Sequence, residues 1–471
     1  MACALGFEKK KRQRIVAVDD GVDRLRAADV GKDLIALSLC QGVFCGHQPA
    51  LGFFEPFRCQ ARPKSESINS AFVRIRVMTI FLPERRRLWV PGDLNPKPRI
   101  LMLFCGGTIA MRRNAKGALE PALSPEQLYA LAPKIRDHVD LDIMNITDKD
   151  SSALTLWHRK RMISEIRKNM HKYDGIVITH GTDTMATTAS TLAFHLGGDL
   201  RIPLVITGSQ MAPEELGCDA TPNLERAIRA VITAPQPGVF LAFHDHVHGG
   251  SVSMKRSESA LDAFDSPANR PAATLTAHGL DWDPMMLKKL ELAPGPSLPY
   301  GNSRVSTIFL EGDLHDNEVK RMLKRDVTDE TRGIVVLAPG TGNLSKSHLK
   351  ILKRGLRRGI SIVVGPQITG GKIQMNAYEL GREAAAAGLI PANDMTPQAT
   401  KAKLIWALGM ADALVKKGVL KEKDRHSFID DIFKHVRAGE MSFPHGQESE
   451  PLPEIVSQLV RPVPRHLSKA A

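Results

Sequence analysis

The 471-residue sequence has no Cys-x-x-Cys pair, only six cysteines, and no apolar run beyond five to eight residues. A zinc site built on closely spaced thiolates is therefore not expected. Six cysteines in a chain this long do not make a disulfide scaffold. A membrane-spanning helix needs roughly 18–20 apolar residues, so none is expected. Residues 1–30 lack the continuous apolar stretch of a secretory signal, and a reducing, cytoplasmic setting is expected. Tyrosine is also scarce, with only Tyr129, Tyr173, Tyr300 and Tyr378.

Acidic residues are the other shortage. The formal net charge is +13, a balance that would suit nucleic acid or another acidic partner. Its distribution argues otherwise. Residues 1–99 carry 18 Lys+Arg against 10 Asp+Glu, whereas the other 372 carry 46 against 41. Cys3, Cys40, Cys45 and Cys59 cluster at the same end, leaving Cys105 and Cys218 further on. The runs Lys9–Arg14 and Glu84–Arg87 fit either a nucleic-acid or nuclear-targeting segment or a solvated extension. The second reading is adopted, with residues 1–95 as a basic, poorly ordered extension in which Met78 offers an alternative start. Nucleic acid and membrane are not expected as partners.

The pattern changes at Pro96. Short β-branched runs then alternate with helical stretches. Strands are predicted at 100–104, 175–179, 204–207, 239–243, 307–310, 334–337 and 360–364, and helices at 156–170, 185–195 and 223–232. Continuous apolar strands separated by helices imply an α/β fold with a doubly wound, mostly parallel sheet covered on both faces. Residues 293–303 (APGPSLPYGNS) are rich in Pro, Gly and Ser and read as a linker. It separates a large N-terminal catalytic domain, 96–292, from a smaller α/β domain, 304–445. Residues 446–471 read as a tail.

In such sheets ligands bind in loops at the carboxyl ends of strands. Three loops there carry chemistry. Cys105–Met111 (CGGTIAM) places two glycines before Thr108, either as a plain glycine turn or as a sharp turn presenting a hydroxyl nucleophile. A threonine hydroxyl is a weak nucleophile until a neighbour takes its proton. His180–Met185 (HGTDTM) offers Thr182 and Asp183, either as helix caps or as a second hydroxyl and a carboxylate for an ammonium group. Asp150-Ser151-Ser152 precedes a helix, where small hydroxyls and free N–H groups either cap the helix or seat a carboxylate.

Together these segments resemble the asparaginase family, in particular its cytosolic type I branch. Further matching segments are TGSQ (207–210), FHDHVHGGSVSMKRS (243–257), FDSP (264–267), GTGN (340–343), NAY (376–378) and NDMT (393–396). They follow the family's order over about residues 98–445. The resemblance implies hydrolysis of L-asparagine to aspartate and ammonia through a threonine acyl-enzyme. It casts Thr108 as nucleophile and Thr182, Asp183 and Lys255 as a second hydroxyl–carboxylate–amine set. Asp150, Ser151 and Ser152, with Thr182 and Asp183, become the substrate seat. Asn343 is assigned to a neighbouring subunit's substrate, in a homodimer or homotetramer. No cofactor and no metal are implied.

Two departures stand out. Cys105 occupies a position where the family usually has threonine, and is read as a packing residue. The loop Asn114–Leu119 lacks the tyrosine that bacterial relatives often place there, so Tyr378 is proposed to hydrogen-bond Thr108 and help take its proton. The alternating His244, His246 and His248 are read as loop histidines, and the alanines of 384–389 as close helix packing. Two rival functions stay open, an asparaginase-like subunit of a tRNA-dependent amidotransferase and a catalytically inactive amino-acid or RNA binding protein. Some relatives also carry lysophospholipase activity.

Overall fold

Residues 100–104 (ILMLF) are apolar at every position, so the strand they form must be covered on both faces. The computed structural model describes residues 96–267, 269–293, 304–311, 315, 317–319, 321, 331–442 and 453–459. The basic extension with Met78, the linker beyond Ala293, Tyr300 and most of the 446–471 tail lie outside them. In chain order the first strands are β1 (Arg99–Cys105), β2 (Met111–Arg113), β3 (Leu119–Pro121), β4 (Asp140–Asn145), β5 (Gly175–His180), β6 (Pro203–Thr207) and β7 (Gly238–Phe243). There follow β8 (His246–Gly249), β9 (Met254–Lys255), β10 (Phe264–Asp265), β11 (Ala273–Thr276) and β12 (Gly279–Trp282). A second series comprises β13 (Arg304–Phe309), β14 (Thr331–Ala338), β15 (Ser361–Pro366) and β16 (Ile390–Pro391).

The large sheet runs β12-β11-β8-β7-β6-β5-β1-β4. Strands β4, β1, β5, β6 and β7 are mutually parallel. Alternate side chains of each strand serve opposite faces. Ile100, Met102, Phe104, Val177 and Val205 pack against Leu224, Ala227, Ile228 and Val231 of the helix Ala220–Thr233. Leu101, Leu103, Ile176, Ile178 and Ile206 pack on the other face against the helices Leu156–Asn169 and Met185–Leu196. The doubly wound sheet expected from the sequence is present. Its far edge departs from the parallel pattern, because β8, β11 and β12 pair antiparallel.

The smaller sheet, β13-β14-β15-β16, is parallel throughout. Ile334, Val336, Ile362 and Val364 meet the helix Lys346–Arg357, and Val335, Leu337 and Val363 meet the 20-residue helix Pro397–Lys416. That long helix also joins the two sheets. Its Trp406 stacks on Phe194 of the helix Met185–Leu196 at 6.2 Å. Its fully buried Lys403 pairs with the equally buried Glu440 at 2.7 Å, and Arg437 donates to the carbonyls of Phe194 and Ala293, both at 3.1 Å.

Two smaller expectations are corrected. His246 and His248 lie on strand β8 rather than in a loop, with ring centroids 5.9 Å apart, and the buried His248 bonds Ser266 at 2.8 Å. In the alanine run only Ala384 is buried; Ala385 and Ala386 are exposed at the end of the helix Glu379–Ala386. The packing expected there holds for Ala384 and, in part, for Ala387, but not for the two exposed alanines.

Candidate active site

Ranked by chain position, the five parallel strands run second, first, third, fourth, fifth across the sheet. The order reverses between β1 and β5, the switch point where open α/β sheets bind ligands. The loop after β1 carries Thr108 and the loop after β5 carries Thr182. The loop after β4, the neighbour of β1, carries Ser151.

Backbone contact seats the three loops against one another. Gly107 lies so close to the β5 loop that a Cβ on it would fall 2.3 Å from the Gly181 nitrogen and 2.4 Å from the Gly181 Cα. Its φ of 88° is a conformation that only glycine adopts readily. Gly181 in turn touches Ser151, where an added Cβ would meet Ser151 Cβ and Oγ at 2.8 Å. The Thr184 hydroxyl donates to the Ser151 carbonyl at 2.8 Å and closes the loop set.

Thr108 opens a single helical turn, Thr108–Ala110, and is partly exposed. Thr182 is buried. Lys255, on the short strand β9, donates from Nζ to Thr182 Oγ1 at 3.0 Å and to Asp183 Oδ1 at 2.7 Å. The lysine side chain is only 10% exposed while that of Asp183 is 53% exposed. A third acceptor, Glu258, takes the remaining Lys255 proton. Burial acts most strongly on Lys255 and pulls its pKa down, but the hydrogen bonds and charges of Asp183 and Glu258 together outweigh it and hold the pKa above its ordinary value.

The Asp-Ser-Ser segment splits in two. Asp150 accepts the Ser152 backbone N–H at 2.8 Å and the Ser152 hydroxyl as well, so both residues shape the turn. Ser151 is 1% exposed, and its Oγ has no hydrogen-bond partner among the described residues. A buried hydroxyl without a partner is costly, and this one lies against Gly181 in the loop cluster. His180 is fully buried between the Gly181 carbonyl, 2.7 Å from Nδ1, and the Thr188 hydroxyl, 2.9 Å from Nε2. Burial drives its pKa down to about 4, so at neutral pH it is an uncharged brace. Cys105 is likewise buried, and burial pushes its thiol far above the ordinary range.

The remaining candidates stand apart from this cluster. Tyr378 precedes the helix Glu379–Ala386 on the smaller sheet, is 57% exposed, and forms no hydrogen bond with Thr108. Tyr173 is committed to Asp142 at 2.9 Å, and Tyr129 lies under Arg136. Asn343 is exposed in the loop after β14. The smaller sheet approaches the site through the segment after β15, where Thr369 lies 4.0 Å from the sulfur of Met254, the neighbour of Lys255. Residues 366–371, Met254 and Asp394–Pro397 line a groove there, which Thr108, Thr182 and Ser151 do not enter. Sequence reasoning gave no role to His180 or Glu258. An acid three residues after Lys255 was the available signal for the second.

Two paired hydroxyl loops, a buried lysine and an exposed carboxylate are equipped for nucleophilic attack and proton transfer at one small polar substrate. Comparison with known proteins agrees with that reading. Residues 99–286 match the "Asparaginase, N-terminal" family and residues 313–416 the "Glutaminase/Asparaginase C-terminal domain". The chain is 30% identical over 380 residues to a glutamyl-tRNA(Gln) amidotransferase subunit of Aeropyrum pernix, covering 75% of this chain and 84% of that one. It is 31% identical over 319 residues to L-asparaginase 1 of Escherichia coli, covering 66% and 92%. Among solved structures it resembles the L-asparaginase of Thermococcus kodakarensis with a TM-score of 0.61 at 29% identity, over 74% of this chain and 100% of that one. It also resembles L-asparaginase I of Vibrio cholerae, with a TM-score of 0.61 at 27% identity, over 74% and 100%. The chain belongs to the L-asparaginase family, on its type I branch.

Proposed function

We propose that this amidohydrolase-family protein hydrolyses L-asparagine to L-aspartate and ammonia through an ester on Thr108. The observation that carries the reading is the Lys255–Thr182–Asp183 hydrogen-bonded set, held against the Thr108 loop by the Gly107–Gly181 contact. Thr108 Oγ attacks the side-chain amide carbon and gives up its proton. The tetrahedral intermediate collapses, the C–N bond breaks, and the nitrogen leaves as ammonia after gaining a proton. Water then adds to the ester, the Thr108 oxygen departs with a proton, and aspartate is released.

Placement supports the following roles. Ser151 Oγ, buried and without a described partner, seats the α-carboxylate; Asp150 and Ser152 hold that turn. Asp183, half-exposed, meets the α-ammonium. Backbone N–H groups near Gly107 and Thr182 face the developing oxyanion, and donors of this kind typically contribute about 10²–10³ in rate each. Lys255 moves protons through Thr182. Tyr378 rides on the smaller sheet, so its approach to Thr108 belongs to the closed, substrate-bound state. The working form is a cytoplasmic homodimer or homotetramer in which Asn343 reaches a neighbour's substrate.

A second reading has one observation in its favour: the match to the amidotransferase protein of A. pernix extends over 380 residues against 319 for the E. coli asparaginase. Under it, the same threonine chemistry supplies ammonia to a tRNA-borne substrate. Ammonia release from asparagine, glutamine and aminoacylated tRNA, measured side by side, separates the two. Turnover of free asparagine without tRNA supports the first. Release that depends on tRNA and a partner protein overturns it.

A further inference from the structure

We propose that Glu258 is a positioning residue that holds Lys255 as a full ammonium and thereby sets the pH range in which the Thr182–Lys255 relay works. The inference rests on the asparaginase reading for its catalytic consequence, and on geometry alone for its effect on Lys255. An ammonium has three protons to donate. Lys255 gives them to Thr182 Oγ1, Asp183 Oδ1 and Glu258 Oε2. With all three acceptors in place the resting lysine has no free lone pair, so it takes a proton from Thr182 only after first losing one.

Glu258 is not a stray surface acid. It sits in the loop between β9 and β10, and that loop is pinned at several points. Ser257 Oγ accepts the backbone N–H groups of Ser259 at 3.2 Å and Ala260 at 2.9 Å. Arg256 pairs with Asp262 across the loop's base, and Arg256 N donates to the Ala263 carbonyl at 2.8 Å. From the neighbouring loop, Gln210 Nε2 reaches the Ala260 carbonyl at 3.1 Å, while its own backbone N–H is fixed by Asp219 at 3.0 Å. The backbone that carries Glu258 is thereby held over Lys255.

The charged surroundings of Lys255 are few. Asp183 faces it from the β5 loop and Glu258 from its own loop. Asp265, on the paired strand β10, accepts the Ser266 N–H, and Arg256 is engaged by Asp262. The segment 366–371 brings no charge. Two solvent-reaching carboxylates, Asp183 at 53% and Glu258 at 82% side-chain exposure, therefore oppose one cation that is itself only 10% exposed. When a substrate ammonium draws on Asp183, Glu258 alone still holds the lysine charged.

Charge removal without shape change, Glu258→Gln, tests the proposal. Lys255 should titrate lower, so the rising limb of kcat/KM for asparagine should move to lower pH by roughly 0.2–0.7 unit, a gain of about 1.5- to 5-fold at a fixed pH below the limb. Added salt should shift the wild-type limb further than that of the Gln variant, in which only the half-exposed Asp183 is left to be screened. Glu258→Asp should lie between the two. Independently of turnover, NMR titration of lysine side chains in ligand-free protein, with Lys255 assigned by its loss in Lys255→Met, should show its pKa fall in Glu258→Gln. An unchanged Lys255 titration overturns the proposal. If Lys255 shifts while the wild-type protein releases no ammonia from asparagine, the substrate assignment fails and the control of Lys255 by Glu258 stands.

Discussion

Replacing Gly107 by alanine adds one methyl group at the backbone contact between the two threonine loops of the candidate site. The new Cβ would lie 2.3 Å from the Gly181 nitrogen, against 3.4–4 Å for ordinary contact. The two loops must therefore separate by about 1 Å, and both neighbours are backbone that cannot rotate away. A displacement of that size between reacting groups costs on the order of 10²-fold in rate. The φ of 88° adds roughly 1–3 kcal/mol of strain. Gly181→Ala provides the contrast. Its φ of −69° suits alanine, and its Cβ presses on the Ser151 side chain rather than on backbone. Gly107→Ala should thus lose at least 10²-fold in kcat and several degrees in melting temperature. Gly181→Ala should melt near wild type and raise KM roughly tenfold or more as the carboxylate seat is displaced. Steady-state kinetics and thermal denaturation of both variants provide the check. A Gly107→Ala protein with wild-type kcat and melting temperature would refute the idea that this contact sets the spacing of the two threonine loops.

Three further outcomes are expected. Lys255→Met should cut kcat by about 10²-fold or more with substrate binding retained, and a wild-type rate in that variant would remove Lys255 from proton transfer. Tyr378→Phe keeps the ring and deletes only the hydroxyl, so a fall of about 10²–10⁴-fold is expected if it takes the Thr108 proton; unchanged turnover would reject it. Acid should destabilise the fold through His180, whose folded pKa of about 4 lies below its ordinary 6.5. The unfolded chain binds the proton first, so this stability is complete above pH 6.5 and is lost as pH falls toward 4, about 2 kcal/mol of it by pH 5. Urea titrations at the two ends of that window should show weaker pH dependence in His180→Asn, and an identical dependence would contradict the assignment.

The parallel core was legible because its strands are buried on both faces. Runs such as Ile100–Phe104 and Ile334–Leu337 have no polar position to confuse the reading. Strands β8, β11 and β12 were not legible, since half-exposed segments such as His246–Gly249 carry a weak alternating signal. The loops announced themselves through glycine beside threonine. What the sequence could not convey was the mutual packing of Gly107, Gly181 and Ser151, which depends on β4, β1 and β5 being neighbours. Asp150 and Ser152 looked equivalent to Ser151 in one dimension, and only side-chain direction separates the capping pair from the free hydroxyl. Tyr378 was chosen by elimination among four tyrosines. It stands exposed at the start of the helix Glu379–Ala386, without a hydrogen bond to Thr108.

The central claim is that asparagine is opened by Thr108. Ammonia and aspartate release from L-asparagine should be measured for the wild-type protein and for Thr108→Ala, with circular dichroism verifying that both are folded. Equal yields of the two products from the wild type, and none above background from the folded variant, are predicted. Turnover by Thr108→Ala within tenfold of the wild type would contradict the account.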